Sequence, residues 1–285
     1  MDHLAQRVLG WTLMWFTLYH TSCKILRSKG AEYNCRIVTL VHATTITISS
    51  CYISFFYGTN PFTISGTPNS PEQLFIITVS LGYFFYDFAW CLYHQSEGPV
   101  MLLHHVISVS FMIVCLCLGV SGIEVVTTIF GSEVTSVFLN IRWFMKEHNV
   151  YSGTYVGLII DYLFVALFIG VRIGVGGYLM FSVLQSSKSP VIVKVGGFSL
   201  YCVNCFFLFQ ILSFARHRFT KSLTGQSTKN SKEKLSGTTI RNGSPSIPCR
   251  NGKVLINGHS HKKEIVCDAL VYSSGDFESS PFLSG

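Results

Sequence analysis

The chain has 285 residues, of which 49% are hydrophobic and only 12% are charged, against about 25% charged in an ordinary soluble domain. This balance excludes a soluble globular domain as the main body of the chain and indicates a polytopic membrane protein. The net charge of +7 comes mostly from the polar residues after 215. We interpret it as a topology signal and predict no nucleic-acid partner.

Seven segments are long and apolar enough to cross a membrane, which takes about 20 residues. They are 4–23, 36–57, 73–93, 99–119, 123–144, 155–183 and 191–215. The fifth is the least apolar, because it contains Glu124, Glu133 and Asn140. We count it as a span because the basic first loop and the basic start of the tail then share one side. The sequence therefore predicts an all-α bundle of about seven spans, with its N-terminus outside.

Composition divides the chain into three parts. Residues 1–28 are expected to form an N-terminal membrane anchor helix, and residues 29–217 the main membrane domain. Residues 218–285 are rich in Ser, Gly, Lys and Asn and show no apolar periodicity. They cannot bury enough surface to offset the entropy of ordering, so we predict a disordered basic tail in the cytosol.

The ten cysteines show no paired metal-ligand spacing, so the sequence predicts neither a zinc site nor a disulfide framework. Most of them lie in apolar segments, where a free cysteine behaves as a small hydrophobic residue. We expect no cofactor.

Ionisable side chains inside the apolar segments are the strongest functional signal. Each costs about 2.5–3.5 kcal/mol in hydrocarbon, so it must face the bundle interior or a wet cavity. The set comprises Asp87, His104, His105, Glu133, Asp161 and Arg172. Several of them fall in the half of the bundle predicted to be cytosolic, so we expect one internal polar site there. Glu133 is the expected partner of Arg172.

A histidine beside a carboxylate can act as a general base. The candidate catalytic residues are therefore His104, His105, Asp87 and Glu133. The same pair could instead be an interhelical hydrogen bond that only holds the bundle together, and the sequence leaves both interpretations open. A metal site of two histidines and a carboxylate is disfavoured, because adjacent residues on a helix chelate poorly.

The chain resembles the TLC-domain membrane proteins, the superfamily that includes the ceramide synthases, over residues 29–217. Within it, the chain is most similar to the TLC domain-containing protein 5 group, also called transmembrane protein 136. The motifs that carry the resemblance include Leu81-Gly82-Tyr83-Phe84, Asp87, Gln95-Ser96-Glu97-Gly98, His104-His105, Glu133, Arg142-Trp143-Phe144 and Asp161-Tyr162-Leu163-Phe164.

The resemblance implies six helices around a lipid-accepting cavity, in the endoplasmic reticulum or another endomembrane. In ceramide synthases the histidine pair and two downstream aspartates transfer an acyl group from acyl-CoA to a sphingoid amine. His104 and His105 match the histidine pair, whereas Glu133 and Ser136 stand where the two aspartates would be. The lost second acid argues against ceramide synthase activity.

Lipid binding without catalysis is therefore the favoured function, with an influence on membrane lipid homeostasis. Tyr86, Asp161 and Arg172 are the expected lipid contacts, and membrane lipids or acyl chains are the expected partners. One alternative is a histidine-dependent acyltransferase that uses acyl-CoA. Another is a trafficking or assembly factor that binds other proteins. The sequence leaves the oligomeric state open.

Overall fold

The computed structural model describes residues 2–57, 60–151 and 154–237, and within them every regular element is helical. The elements are α1 (Asp2–Ile25), α2 (Ala31–Phe55), α3 (Pro71–His94), α4 (Pro99–Leu118), α5 (Gly122–Glu147), α6 (Tyr155–Leu167), a π-helix (Phe168–Val175), α7 (Gly176–Gln185) and α8 (Val191–Gly237). The all-α prediction is confirmed.

Six helical segments of the described chain are long and apolar enough to cross a membrane. They are Ala31–Phe55, Pro71–His94, Pro99–Leu118, Gly122–Glu147, Tyr155–Gln185 and Val191–Ser213. The fifth predicted segment is among them by length and apolar composition, and its acids Glu124 and Glu133 are buried. The helix α1 is 24 residues long but is not among these six, so a seventh span stays a prediction.

Local sequence fixes the hairpin formed by α3 and α4. Ser70 begins α3 with a capping box, in which its hydroxyl accepts from the Gln73 N–H (3.3 Å) and the Gln73 side chain accepts from the Ser70 N–H (3.0 Å). Pro71 occupies the first helical turn, where its missing N–H costs nothing. Gln95, at φ 49°, ends α3 in the left-handed region. The short connection 95–98 then returns the chain directly into α4, so the two helices are neighbours.

The core of the bundle lies where α1, α2, α3 and α5 meet. Gly82 lets α1 approach α3 closely, because a Cβ atom at this position would lie 2.6 Å from the Cβ of Trp11. Trp15, His42 and Tyr83 form an aromatic cluster nearby, with Trp15 edge-on to both other rings. This packing fixes the depth and rotation of the polar side chains on α2 and α3.

The π-helix interrupts the long segment between α6 and α7. Turns of this kind are rare and are found mostly at functional sites. It carries Arg172 and is followed by Gly176 and Gly177 at the start of α7. A Cβ atom on Gly177 would lie 2.8 Å from the hydroxyl of Tyr201 on α8. The close contact between these two helices is therefore just beyond the π-helix.

The helix α8 continues to Gly237, past the start of the tail predicted to be disordered. Residues 218–237 are thus helical, because extending an existing helix avoids the cost of nucleating a new one. Within the described chain, residues 210–237 belong to a second compact unit. The rest of the predicted tail, 238–285, lies outside the described residues.

Candidate functional site

The intramembrane polar residues form several separate clusters rather than the single predicted site. Asp87 contacts His105, and Glu133 contacts a histidine of α2. Asp161 forms an ion pair with an arginine of α5. Arg172 lies apart from these pairs and lines a crevice. Each cluster joins two or more helices, so each one contributes to the arrangement of the bundle.

Of the histidine–carboxylate combinations that the sequence left open, the structure brings together Asp87 of α3 and His105 of α4. The Nε2 atom of His105 lies 2.8 Å from Oδ2 of Asp87, and its Nδ1 atom lies 2.9 Å from the carbonyl oxygen of Met101. The His105 side chain is 6% exposed and that of Asp87 is 18% exposed. The carboxylate therefore keeps one open side while the imidazole is enclosed.

The two hydrogen bonds of His105 determine which of its ring nitrogens carry a proton. The Met101 carbonyl can only accept, so Nδ1 carries a hydrogen. A second proton must then lie between Nε2 and the Asp87 carboxylate, because two lone pairs cannot make a 2.8 Å bond. His105 consequently has no free lone pair with which to accept a substrate proton. The geometry gives its proposed role as a general base little support.

His104 points away from this pair, as adjacent residues on a helix must. Its ring packs edge-on against Phe207 (5.6 Å) and against His105 (6.0 Å). Its Nδ1 atom is buried and has no hydrogen-bond partner in the described part of the chain. The two histidines of the motif therefore have different surroundings and do not act on one atom.

A third ligand-type side chain lies beside the Asp87–His105 pair. Cys91 is four residues after Asp87 on α3, and its thiol is buried and free. One ligand atom from each of Asp87, Cys91 and His105 lies within 4.8 Å of the other two. Spacing along the sequence could not reveal this group, because His105 reaches it from the neighbouring helix.

Glu133 contacts His42, a residue that the sequence analysis did not single out. Oε2 of Glu133 lies 3.6 Å from Nδ1 of His42. The imidazole is fully buried and stacks on Tyr83 at 3.7 Å, nearly parallel. The isolated His42 within an apolar stretch was the available signal. Its partner could not be found without knowing that α2 lies along α5.

Asp161 is held by groups of the protein itself. It forms an ion pair with the Nε of Arg142, and the hydroxyl of Tyr151 donates to its other oxygen at 2.5 Å. Arg142 also donates to the Tyr151 oxygen at 2.8 and 3.0 Å. Burial, and then the bond to Asp161, raises the pKa of Tyr151. Because both carboxylate oxygens are engaged, this predicted lipid contact is a clamp between α5 and α6.

Tyr86, another predicted lipid contact, lies in the core. Its side chain is fully buried, and its hydroxyl donates to the sulfur of Cys35 at 3.6 Å. Its ring packs edge-on against Phe16 of α1 at 5.1 Å. This tyrosine joins three helices and does not line any of the crevices described below.

In the described chain, Arg172 does not form the direct ion pair with Glu133 that the sequence led us to expect. Its terminal nitrogens donate to the carbonyl oxygen of Ser132 (2.8 Å) and to the amide oxygen of Asn204 (3.3 Å). Its Nε is buried and has no partner among the residues that the structure describes. Both partners are neutral, and Glu133 acts on the guanidinium only through its charge, without a direct bond in the described residues. The guanidinium is a half-buried cation without a bonded counter-ion in the described chain.

A crevice lies between α5, the π-helix, α7 and α8. Its walls are mostly apolar, and Arg172, Asn204 and Glu124 supply the polar groups. Its volume is about 60 Å³, room for about two waters at the roughly 30 Å³ that each occupies in the liquid. A smaller neighbouring cavity of about 20 Å³ is lined by Glu133. Neither histidine of the motif lines either space.

Glu124, near the start of α5, also lines this crevice. One carboxylate oxygen accepts from the Gly66 N–H at 2.6 Å and is 3.5 Å from the Ser189 hydroxyl. The other oxygen is buried without a partner in the described residues. The acid ties the loops before α3 and before α8 to the start of α5. In the sequence, Glu124 was notable only because a charged residue makes the fifth segment less apolar.

The fold and these sites define a polytopic helical membrane protein with paired charges inside the bundle and a partly polar crevice. The TLC domain matches residues 32–215 of the chain. The match covers more than half of the chain, and the chain therefore belongs to the TLC-domain family.

Proposed function

We propose that this protein binds the anionic end of a membrane lipid or acyl chain at Arg172, and that it thereby influences membrane lipid homeostasis. One observation carries the proposal. A guanidinium lies within a membrane span, lines a crevice, and among the described residues is hydrogen-bonded to the neutral groups of Ser132 and Asn204 and to no carboxylate.

The charge on Arg172 gives the crevice its chemical preference. A cation inside a membrane is costly unless it is paired, and such residues mark ligand sites in membrane proteins. A guanidinium has five N–H donors in a fork that matches a carboxylate or a phosphate. Two of its nitrogens have protein partners and Nε has none in the described chain. An anionic group would supply a directly bonded counter-ion and the missing acceptor.

The walls and size of the crevice suit one end of a lipid. Leu179, Met180 and Val183 line one side, and Val193 and Leu200 of α8 line the other. The space near Arg172 holds a carboxylate or phosphate group with a few carbons, so the rest of the chain must leave between the helices. Gly197 provides space on α8. A Cβ atom there would lie 3.4 Å from the sulfur of Met180 and 4.0 Å from the ring of Phe111.

Family likeness and charge support three finer proposals. We place the protein with the TLC domain-containing protein 5 (transmembrane protein 136) group. We propose that it works in the endoplasmic reticulum or another endomembrane. Its C-terminal tail would lie in the cytosol, because Arg216, Arg218 and Lys221 open the tail, and Lys24, Arg27 and Lys29 occupy the first loop.

Lipid retention by the purified protein tests the binding proposal. Wild type and Arg172→Gln are reconstituted with either oleate or phosphatidate as the probe, washed, and analysed by native mass spectrometry. Loss of hydrogen bonds from a charged donor, at about 1.5–3 kcal/mol, predicts roughly 10- to 150-fold weaker binding. Retention of oleate alone identifies a carboxylate ligand, and retention of phosphatidate alone identifies a phosphate.

Arg7→Gln is the matched control, because Arg7 lies on an exposed face of α1. It removes the same charge without touching the crevice and should bind like wild type. Equal retention of both probes by wild type and Arg172→Gln would show that the guanidinium is not the binding site.

Acyl transfer remains the second candidate function because of the 2.8 Å contact between Asp87 and His105. For His105 to accept a proton, the shared proton would first have to leave the pair. Exchange of both histidines for alanine should then abolish a lipid product. Restoration of the full lipid pattern by that double variant would exclude the histidines as catalytic residues.

A further inference from the structure

We propose that Asp87, Cys91 and His105 bind one zinc ion. This inference goes beyond the lipid-binding proposal, because none of the three residues lines the crevice at Arg172. It also replaces the expectation from the sequence that the chain has no metal site. The three ligand atoms, an oxygen, a sulfur and a nitrogen, all lie within 4.8 Å of one another.

Two neighbouring helices bring the three ligands together. Asp87 and Cys91 are four residues apart on α3 and therefore lie on the same helix face. His105 faces them from α4, across the hairpin whose connection is only 95–98. Ligands on two rigid helices give a more fixed geometry than ligands on loops. The site thus needs no refolding of the chain, only a small adjustment of side chains.

The second bond of His105 prepares it for coordination. Its Nδ1–H donates to the carbonyl oxygen of Met101 at 2.9 Å, so in the neutral ring the lone pair is on Nε2. Histidines that bind metals almost always donate the other ring N–H to a carbonyl or carboxylate in this way. Once the proton shared with Asp87 has left, the Nε2 lone pair is free and points towards Asp87, within 4.8 Å of the Cys91 sulfur.

Charge balance explains why a divalent ion suits this place. Without metal, Cys91 is a thiol and the Asp87–His105 pair shares one proton, so the group is neutral overall. Binding of Zn²⁺ releases the thiol proton and the shared proton, and leaves Zn²⁺ with a carboxylate, a thiolate and a neutral imidazole. The complex is again neutral, so it avoids the cost of an uncompensated charge inside a membrane span. Two protons leave for each ion bound.

The donor set selects zinc among the common ions. One thiolate, one imidazole and one carboxylate are ligands that zinc accepts, whereas magnesium and calcium prefer oxygen. Tetrahedral bonds of about 2.0–2.3 Å separate ligand atoms by about 3.3–3.8 Å. The present 2.8 Å contact would therefore widen by roughly 0.5 Å as the ion replaces the shared proton. Asp87, with its side chain 18% exposed, leaves a fourth position for water.

Metal analysis of the whole purified protein tests this site. The protein is prepared without a metal-binding tag, equilibrated with zinc buffered by a weak chelator, and measured by elemental mass spectrometry. We expect about one zinc per chain. Cobalt in place of zinc should give a thiolate-to-metal charge-transfer band. Lower pH should weaken binding, because two protons compete with each ion.

Variants assign the metal to these ligands. Cys91→Ser should lower the zinc content about tenfold or more and abolish the charge-transfer band. Cys115→Ser is the control, because Cys115 is also a buried free thiol but lies on α4 away from the group. A wild-type protein that takes up no zinc and gives no cobalt band would overturn the proposal. So would a Cys91→Ser variant that keeps both, and neither result depends on lipid binding at Arg172.

Discussion

Replacement of Asp161 by alanine leaves the guanidinium of Arg142 without its counter-ion. Arg142 is fully buried and donates to both Asp161 and Tyr151. Removing one partner of a buried ion pair costs about 3–5 kcal/mol, because the remaining charge stays buried and unpaired. For a chain of this size we expect the melting temperature to fall by roughly 6–20 °C. The same change also removes the acceptor of the Tyr151 hydroxyl.

Thermal unfolding of the detergent-solubilised protein, followed by intrinsic fluorescence, measures this effect. Glu32→Ala is the matched control. Glu32 and Arg36 lie one helical turn apart and form a partly exposed ion pair, and such a pair contributes about 0.3–0.5 kcal/mol to stability. The double variant Arg142→Met/Asp161→Leu should recover part of the loss, because no charge is then left buried. A fall for Asp161→Ala no larger than that for Glu32→Ala would refute the assigned role of the clamp.

Two further substitutions test the packing of α1 and the electrostatics of the loop between α3 and α4. Gly82→Val should separate α1 from α3 and lower the melting temperature, because its Cβ would meet Trp11 at 2.6 Å, whereas Gly10→Val points into open space and should be neutral. Equal melting temperatures for the two variants would contradict the close contact. Burial, and to a lesser extent the carboxylate of Asp87, raises the pKa of Glu97 above its ordinary 4.5. The folded state therefore holds this proton more tightly than the unfolded state, and ionisation at neutral pH destabilises the fold. Glu97→Gln should raise the melting temperature at neutral pH, with a gain that shrinks as pH falls towards 4.5; a gain independent of pH would show that burial of this charge is not the cause.

Most helices of this protein could be predicted, because they are long apolar runs with clear ends. Two helix ends have clear signals in the sequence: the capping box at Ser70 and the glycine after α4, which adopts the left-handed region at φ 70°. Local patterns could not show the π-helix at Phe168–Val175 or the continuation of α8 to Gly237. Both depend on which backbone hydrogen bonds the neighbouring turns have already formed.

The polar pairs were harder to predict, since each one depends on how two helices are rotated against each other. Asp87 and His105 could be matched because a short hairpin makes their helices neighbours. Glu133 could not be matched with His42, because α2 and α5 are far apart in sequence. Glu133 is close enough to Arg172 to act on its charge, but in the described chain the two form no direct ion pair, because the guanidinium bonds to Ser132 and Asn204.

Catalytic and binding roles are separated most directly by lipid analysis of cells that lack this protein. The cells are rescued with wild type, with Arg172→Gln, or with His104→Ala/His105→Ala, each shown to reach the membrane in equal amounts. The account predicts that wild type and the double histidine variant restore the same lipid class, whereas Arg172→Gln does not. Restoration by Arg172→Gln together with failure of the histidine variant would contradict it and make acyl transfer the function.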